Sequence, residues 1–337
     1  MRIVLDAMGG DFAPHVPVLG AVQAAKEFGV RVVLTGKKEL LEEELSKYSY
    51  PPELIDVVPA EEVIGMDEQP ARALKKKNSS IHVGLNLVKE GRADAFVSAG
   101  NTGAVMAISL FTVGRIKGVE RPAITAILPN LSGYTFLLDV GANVDCKPHH
   151  LLQFAVMGSA YARYVLEEEN PRVGLLNIGE EEGKGNELTK EAYKLLKAAK
   201  EKGLNFTGNA EGRDVYSGKF DVIVCDGFVG NVCLKLSESL AKILAKILKE
   251  EIDKHLISKV GALFLKPAIK GFKRRIDYAE IGGAPLLGVN APVIISHGSS
   301  NAKAIKNAIK TATQFVRSEL NSHIEEEIAK IGKTNGD

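Results

Sequence analysis

Short apolar runs alternate along the chain with longer stretches of helical period. Predicted strands fall at residues 2–6, 31–35, 55–58, 95–98, 123–128, 136–140, 172–177, 205–208, 222–225 and 293–296. Most are nearly continuous apolar runs, as expected of strands buried on both faces. Helical patterns lie between them at about 16–28, 38–47, 80–90, 102–113, 148–167, 187–202, 231–253 and 301–320. This alternation predicts an α/β fold, a three-layer α/β/α arrangement around a mainly parallel sheet. Leu131-Ser132-Gly133-Tyr134 between two strands predicts a hairpin, so the sheet is expected to be mixed. No repeat or low-complexity linker divides the chain. The expectation is one catalytic unit over 1–320, with a long helix and a basic amphipathic protrusion at about 231–276. The charged end, 321–337, reads as a frayed helix and tail.

Ligands of open parallel sheets bind outside the carboxyl ends of the strands. The residues there are of one kind: Asp6, Gly9, Gly10 and Asp11 after the first strand; Ser98, Gly100, Asn101 and Thr102 after another. Asn177 to Asn186, Asp226 to Asn231, and His297, Gly298, Ser299 and Asn301 follow three more. Glycine lets a backbone approach a ligand closely, and the first N–H groups of a helix point at an anion. Any one such loop is ordinary turn and cap chemistry. Five together point to an anion site. Lys184, in a glycine-flanked acidic loop, is a candidate to hold phosphate or an oxyanion. Asn231 is either an oxyanion donor or the cap of the helix that follows.

Two standard nucleotide motifs are excluded. Gly179 to Lys184 is one residue short of a P-loop, with Gly185 where Ser or Thr is required, and no G-x-G-x-x-G opens a helix after the first strand. Cys146 has His149 and His150 nearby, but a free cysteine is more often inert packing. The Asp145, Cys146, His149 and His150 cluster lacks the paired spacing of a structural zinc site, and no metal is expected.

Composition narrows the class. Of 337 residues, 45% are hydrophobic and 25% charged, the balance of a soluble globular protein, and the net charge of +1 favours no nucleic acid partner. Three cysteines without paired spacing suit a reducing cytoplasm. The N-terminal apolar run ends at Asp6, too short for a signal peptide.

The loops, in order, resemble the phosphate acyltransferase (PlsX) family of bacterial phospholipid synthesis. The matching segments are DAMGGDFAP at 6–14, ARALKKKNSSIHVGLNLVKEG at 71–91, SAGNTGA at 98–104 and LDVGANVDCKP at 138–148. NIGEEEGKGNE at 177–187, NFTGNAEGRD at 205–214, CDGFVGN at 225–231 and SHGSSNAKAI at 296–305 complete them. The resemblance implies acyl transfer from acyl-carrier protein to inorganic phosphate, without cofactor, the acyl phosphate then feeding glycerol-3-phosphate acylation. It implies a fold similar to the phosphotransacetylases and the isocitrate or isopropylmalate dehydrogenases, a homodimer, and peripheral membrane association. Phosphate is itself a nucleophile, so no serine or cysteine triad is required. Lys184 and Asn231 are then expected to flank the reacting carbonyl, and the loops at Gly9–Gly10, Gly100–Thr102 and 297–301 to complete the cradle, with Asp6, Asp11, Ser98 and Asn186 as further binding residues. Two rivals are a β-decarboxylating dehydrogenase, whose Arg-rich motif and Asp triad are not evident, and a non-catalytic membrane scaffold.

From Lys254 to Ile276 the chain has seven basic and no acidic residues. Lys259, Lys266, Lys270, Lys273, Arg274 and Arg275 are interleaved with Leu263, Phe264 and other apolar residues. This pattern reads as contact with an anionic membrane or an acidic carrier protein. The alternative is a helical hairpin with its apolar face in the core or a dimer interface. The preceding helix carries Leu236, Leu240, Ile243, Leu244, Ile247, Leu248 and Ile252, a stripe broad enough for core and dimer partner together.

Overall fold

The computed structural model describes residues 1–276 and 278–332. Eleven strands form one sheet: β1 (Arg2–Asp6), β2 (Arg31–Gly36), β3 (Ile55–Pro59), β4 (Ala95–Ser98), β5 (Ala123–Pro129), β6 (Tyr134–Leu138), β7 (Val173–Leu176), β8 (Phe206–Ala210), β9 (Val222–Val224), β10 (Ala284–Leu287) and β11 (Val293–Ile295). The helices are α1 (His15–Phe28), α2 (Lys38–Leu45), α3 (Pro70–Ala73), α4 (Ser80–Lys89), α5 (Thr102–Thr112), α6 (Pro148–Leu166), α7 (Glu187–Ala199), α8 (Gly227–Lys254), α9 (Leu256–Phe264), α10 (Lys266–Ile276), α11 (Tyr278–Ile281), α12 (Ala302–Arg317) and α13 (Leu320–Gly332). The expected α/β class and mixed sheet are observed, and β10 is a strand the periodicity missed.

The order across the sheet is β3-β2-β1-β4-β11-β10-β5-β6-β9-β7-β8. β3, β2, β1, β4 and β11 are mutually parallel. β6, β9, β7 and β8 are also mutually parallel. The antiparallel pairs β11·β10, β10·β5 and β5·β6 lie between the two sets. Three reversals make the sets run in opposite directions. The carboxyl ends of β1, β4 and β11 therefore emerge at one edge of the sheet, and those of β6, β9 and β7 at the other.

Apolar cores lie on both faces. On one, Phe154 and Tyr161 of α6 and Phe315 of α12 are fully buried, with Tyr161 edge-on to Phe315 at 6.4 Å. On the other, Leu85 of α4 and Ile108 of α5 pack with Phe96 of β4. α13 corrects the expectation of a frayed end from Asn321. Leu320, Ile324 and Ile328, four residues apart, are buried where α13 packs on α6. Each such apolar side chain contributes roughly 1.5–3 kcal/mol, enough to hold the helix down. The rest of the expected tail, 333–337, lies outside the described residues.

α8 begins at the second edge, straight after β9, and crosses β6. Its 28 residues span about 42 Å, whereas the five residues of β6 span only ~17 Å. The helix therefore overshoots the sheet past the first edge. α9 and α10 return the chain: the Arg275 guanidinium donates to the carbonyls of Asn130 (3.3 Å) and Leu131 (3.4 Å) at the β5–β6 turn. The protrusion thus stands on the same side as the loops after β1, β4 and β11. No described helix is long and apolar enough to cross a membrane.

Candidate active site

At the first edge, three adjacent strands deliver three loops that interlock. The buried Asp6 carboxylate accepts from the Ser98 hydroxyl (2.7 Å) and the Met8 N–H (3.1 Å), and Ser98 Oγ accepts from the Gly100 N–H (2.9 Å). Burial pushes the Asp6 carboxyl up from its ordinary range, while Ser80, Ser98 and two backbone donors pull it down. Gly9 must be glycine, because a Cβ there would strike the Asp6 carboxylate and come 2.7 Å from the Gly100 nitrogen. Asp11 N–H donates to the Gly298 carbonyl (2.8 Å), joining the first loop to the third. Gly10, at φ +99°, sits against the same carbonyl. Asp11, Thr102, His297, Ser299 and Asn301 are exposed on these loops, from which α5 and α12 begin.

Several expected ligand contacts have other duties. Asp6 and Ser98 are 1% and 0% exposed and hold the loops from beneath. Asn101, Asn186 and Asn301 each cap a helix, accepting from Ala104, Thr189 and Ala304 N–H at 2.9 Å. The Asn101 amide is spent as well, donating to Met66 (2.7 Å) and Glu68 (3.0 Å) carbonyls. Ser296 and Ser300, which the sequence did not single out, flank the His297–Ser299 turn. Their hydroxyls are buried and make no hydrogen bond among the described residues. Serine in a glycine-rich loop was the signal for them, and it does not separate buried from exposed hydroxyls.

The second edge gathers the loops after β6, β9 and β7. The helix starts four residues earlier than its period predicted: Asp226 caps α8 by accepting from Val229 N–H (2.9 Å). Asn231 therefore lies inside the helix, exposed, with no capping duty. Its amide faces Gly141 (φ +133°), where a Cβ would lie 3.6 Å from Asn231 Cγ. Asp139 fixes that loop, accepting from Ile124, Ala142 and Asn143 N–H and from the Asn143 amide. Gly230 passes so close to the Asp139 carbonyl that no Cβ fits. Asp139, Gly141 and Asn143 thus shape the loop beside Asn231.

Lys184 is exposed and makes no ion pair among the described residues. The acids of its loop are occupied elsewhere: Glu180 with Lys219 (3.0 Å) and Arg213 (3.3 Å), Glu182 with Lys197 (2.8 Å). The loop is pinned by Asn177, whose amide donates to the Lys184 carbonyl (3.1 Å), and by Asn209, whose amide donates to the Glu181 carbonyl (2.8 Å). Gly185, at φ +95°, has no room for a Cβ beside Thr189 and Asn177.

The expectation that all the loops form one cradle is corrected for the single chain. Lys184 and Asn231 sit at the opposite edge from the Gly10, Thr102 and Ser299 loops, because the two strand sets are antiparallel.

No activated thiol is present among the described residues. Burial, then the Asp139 charge, pushes the Cys146 thiol up to about 12. Burial also raises Cys225 and Cys233. Glu120 Oε2 lies 2.7 Å from His149 Nε2 and 3.4 Å from His150 Nε2. Lys147 N–H donates to His150 Nδ1 (3.1 Å), which assigns that ring's proton to Nε2. Glu120, His149 and His150 thus form one cluster, and neither Asp145 nor Cys146 joins it.

Residues 1–323 match the family described as fatty acid synthesis protein. The chain is 56% identical over 325 residues to the phosphate acyltransferase of Aquifex aeolicus, covering 96% of each chain. It is 56% identical over 332 residues to that of Pelotomaculum thermopropionicum, covering 98% of this chain and 96% of the relative. Among solved structures, a phosphotransacetylase from Streptococcus pyogenes superposes with TM-score 0.64 at 17% identity, over 95% of this chain and 94% of that one. A 4-hydroxythreonine-4-phosphate dehydrogenase from Klebsiella pneumoniae gives 0.56 at 14%, over 94% and 99%. At such identities the likeness is one of fold.

Proposed function

This chain belongs to the family of the phosphate acyltransferases, and on that premise we propose that it moves a fatty acyl group from the thioester of acyl-carrier protein to inorganic phosphate. The chain is an acyltransferase of fatty acid and lipid synthesis, which replaces the dehydrogenase and scaffold readings. A phosphate oxygen attacks the thioester carbon, the tetrahedral oxyanion collapses, and the C–S bond breaks. Acyl phosphate and a thiolate result, and the thiolate takes a proton from water to become the free carrier thiol. The acyl phosphate is the activated donor for a downstream glycerol-3-phosphate acyltransferase and so for phosphatidic acid.

The observation that carries the residue assignment is the freedom of two side chains. Lys184 and Asn231 are exposed at neighbouring strand ends, and among the described residues neither makes an ion pair or caps a helix. Lys184 offsets the charge gathered when phosphate meets the thioester, and the Asn231 amide donates to the oxyanion. One such donor contributes about 3–4 kcal/mol, and holding phosphate in line up to ~7–11 kcal/mol. The phosphate cradle is the set of first-edge loops: Gly10, Thr102, Gly298 and Ser299, steadied by Asp6, Ser98, Asn101 and Asn301.

Two copies of the chain reconcile the two edges. In a homodimer the second-edge loops of one copy face the first-edge cradle of the other. Support comes from α8, whose Leu236, Leu240, Ile243, Leu244, Ile247 and Leu248 are each 50–67% exposed in the single chain, a stripe that water disfavours and a second copy covers. The protrusion suits peripheral contact of a cytoplasmic enzyme with an anionic membrane. Ile257, Phe264, Leu265 and Phe272 are exposed there, beside Lys259, Lys266 and Lys270. Arg275 instead anchors the hairpin to the β5–β6 turn, and the side chains of Leu263, Lys273 and Arg274 lie outside the described residues.

Incubation with acyl-carrier-protein thioester and phosphate tests the reading. Thiol release that requires phosphate, with hydroxylamine trapping the acyl phosphate as hydroxamate, is expected. Release that is indifferent to phosphate contradicts it.

A further inference from the structure

Between Gln69 and Lys89 the chain has five basic residues and no acidic one. The stretch opens with α3 and the turn after it. Lys76 is committed to Glu68 (2.7 Å) and the Val63 carbonyl (2.8 Å). Arg72, Lys75 and Lys77 are exposed and make no ion pair among the described residues.

This turn borders the first-edge cradle. The Asn101 amide ties the loop before α3 to the cradle through the Met66 and Glu68 carbonyls. Pro70 lies on α5, where a Cβ at Gly103 would come 3.0 Å from its ring, and the Met66 side chain packs on Gly298. A cavity of about 480 Å³, lined by Asp67, Glu68, Gln69, Arg72 and Lys76, opens at the same place.

We propose that the basic turn Arg72–Lys77 is the docking surface for the acidic protein that carries the acyl thioester. The inference rests on the carrier-protein reading above. A thioester tethered to a folded protein reaches the cradle only if that protein docks at the cradle's rim, and this turn is a rim. Unpaired cations there complement an acidic surface and speed encounter. The protrusion's basic residues differ in company: they are interleaved with exposed Phe264 and Phe272, as a bilayer contact requires. Between Gln69 and Ser79 no large apolar side chain is exposed.

The test is steady-state kinetics of the full-length Lys75→Glu/Lys77→Glu variant with three substrates. KM for the acyl-carrier-protein thioester is expected to rise about tenfold or more, the scale of electrostatic steering. KM for phosphate, kcat, and turnover of a small acyl-pantetheine thioester are expected to hold. Added salt should erase most of the difference, and Lys75→Arg/Lys77→Arg should behave as wild type. Binding to vesicles containing anionic phospholipid should not change. An unchanged carrier KM overturns the proposal, as does an equal loss with the small thioester; lost vesicle binding marks the turn as a membrane contact instead and also overturns it. A wild-type protein that ignores the carrier thioester but uses the small one sinks the carrier reading itself, which is a separate failure.

Discussion

The Asn231 amide lies against Gly141, whose φ of +133° leaves it no Cβ and brings the loop after β6 to the second turn of α8. Because Asp226 caps that helix, Asn231 is free of a structural role. Asn231→Ala is predicted to leave the melting temperature within about 1 °C, as for a surface change worth under ~0.5 kcal/mol. Its kcat should fall about 10²–10³-fold, as for loss of one oxyanion donor. Gly141→Ala should cost both, since its strain of about 1–2 kcal/mol is stored beside the donor. Thermal unfolding and turnover on the same preparations separate the two effects.

The cradle is predicted to depend on the buried Ser98 hydroxyl. Ser98→Ala removes the donor to the fully buried Asp6 carboxylate and the acceptor of the Gly100 N–H. An unsatisfied buried group costs about 1–3 kcal/mol, so denaturant unfolding should shift to lower midpoint by that much. KM for phosphate should rise as the Gly9 and Gly100 loops loosen. A stable variant with normal phosphate KM contradicts this role.

Acid stability should depend on Glu44. Its side chain is buried, accepts from Lys47 (2.8 Å) and Tyr48 (2.9 Å), and lies 2.8 Å from His15 Nδ1. The Lys47 bond first, then His15 and Tyr48, hold its carboxyl at about 2 against burial. A carboxyl lowered by folding stabilises the fold above its unfolded value, and that stability is lost as pH falls through about 4.5 toward 2. Glu44→Gln is predicted to melt below wild type at pH 7, by an amount set by a charged hydrogen bond of about 1.5–3 kcal/mol. The two melting temperatures should converge near pH 2. A gap that stays constant from pH 7 to 2 refutes the assignment.

The buried strands, most helices and the strand-end loops were legible in the sequence, because each is a local matter of apolar runs, period and turn residues. β10 was not: Ala284-Pro285-Leu286-Leu287 is short, carries proline and follows two glycines, and only its pairing with β5 and β11 makes it a strand. The start of α8 was misread because Gly227 to Gly230 looks like loop, and the Asp226 cap shows only in three dimensions. The hairpin at Leu131 to Tyr134 is legible in the sequence, but its long-range consequence is not. With the β10 reversals it turns the second strand set against the first and sends Lys184 and Asn231 to the far edge. Direction across a sheet is fixed by long-range pairing, and no local pattern encodes it. Asn101, Asn186 and Asn301, expected on substrate, cap helices; Asn serves both purposes, and a single sequence does not distinguish them.

Mixed dimers test most directly whether one site is built from both edges. Lys184→Ala disables the second edge, and His297→Ala/Ser299→Ala disables the first. Each homodimer is predicted to have little phosphate-dependent thiol release. In a dimer of one copy of each, one of the two sites joins an intact second edge to an intact first edge, so activity should reappear. If purified mixed dimers are as inactive as their parents, the two edges do not meet across copies, and the account of the active site is wrong.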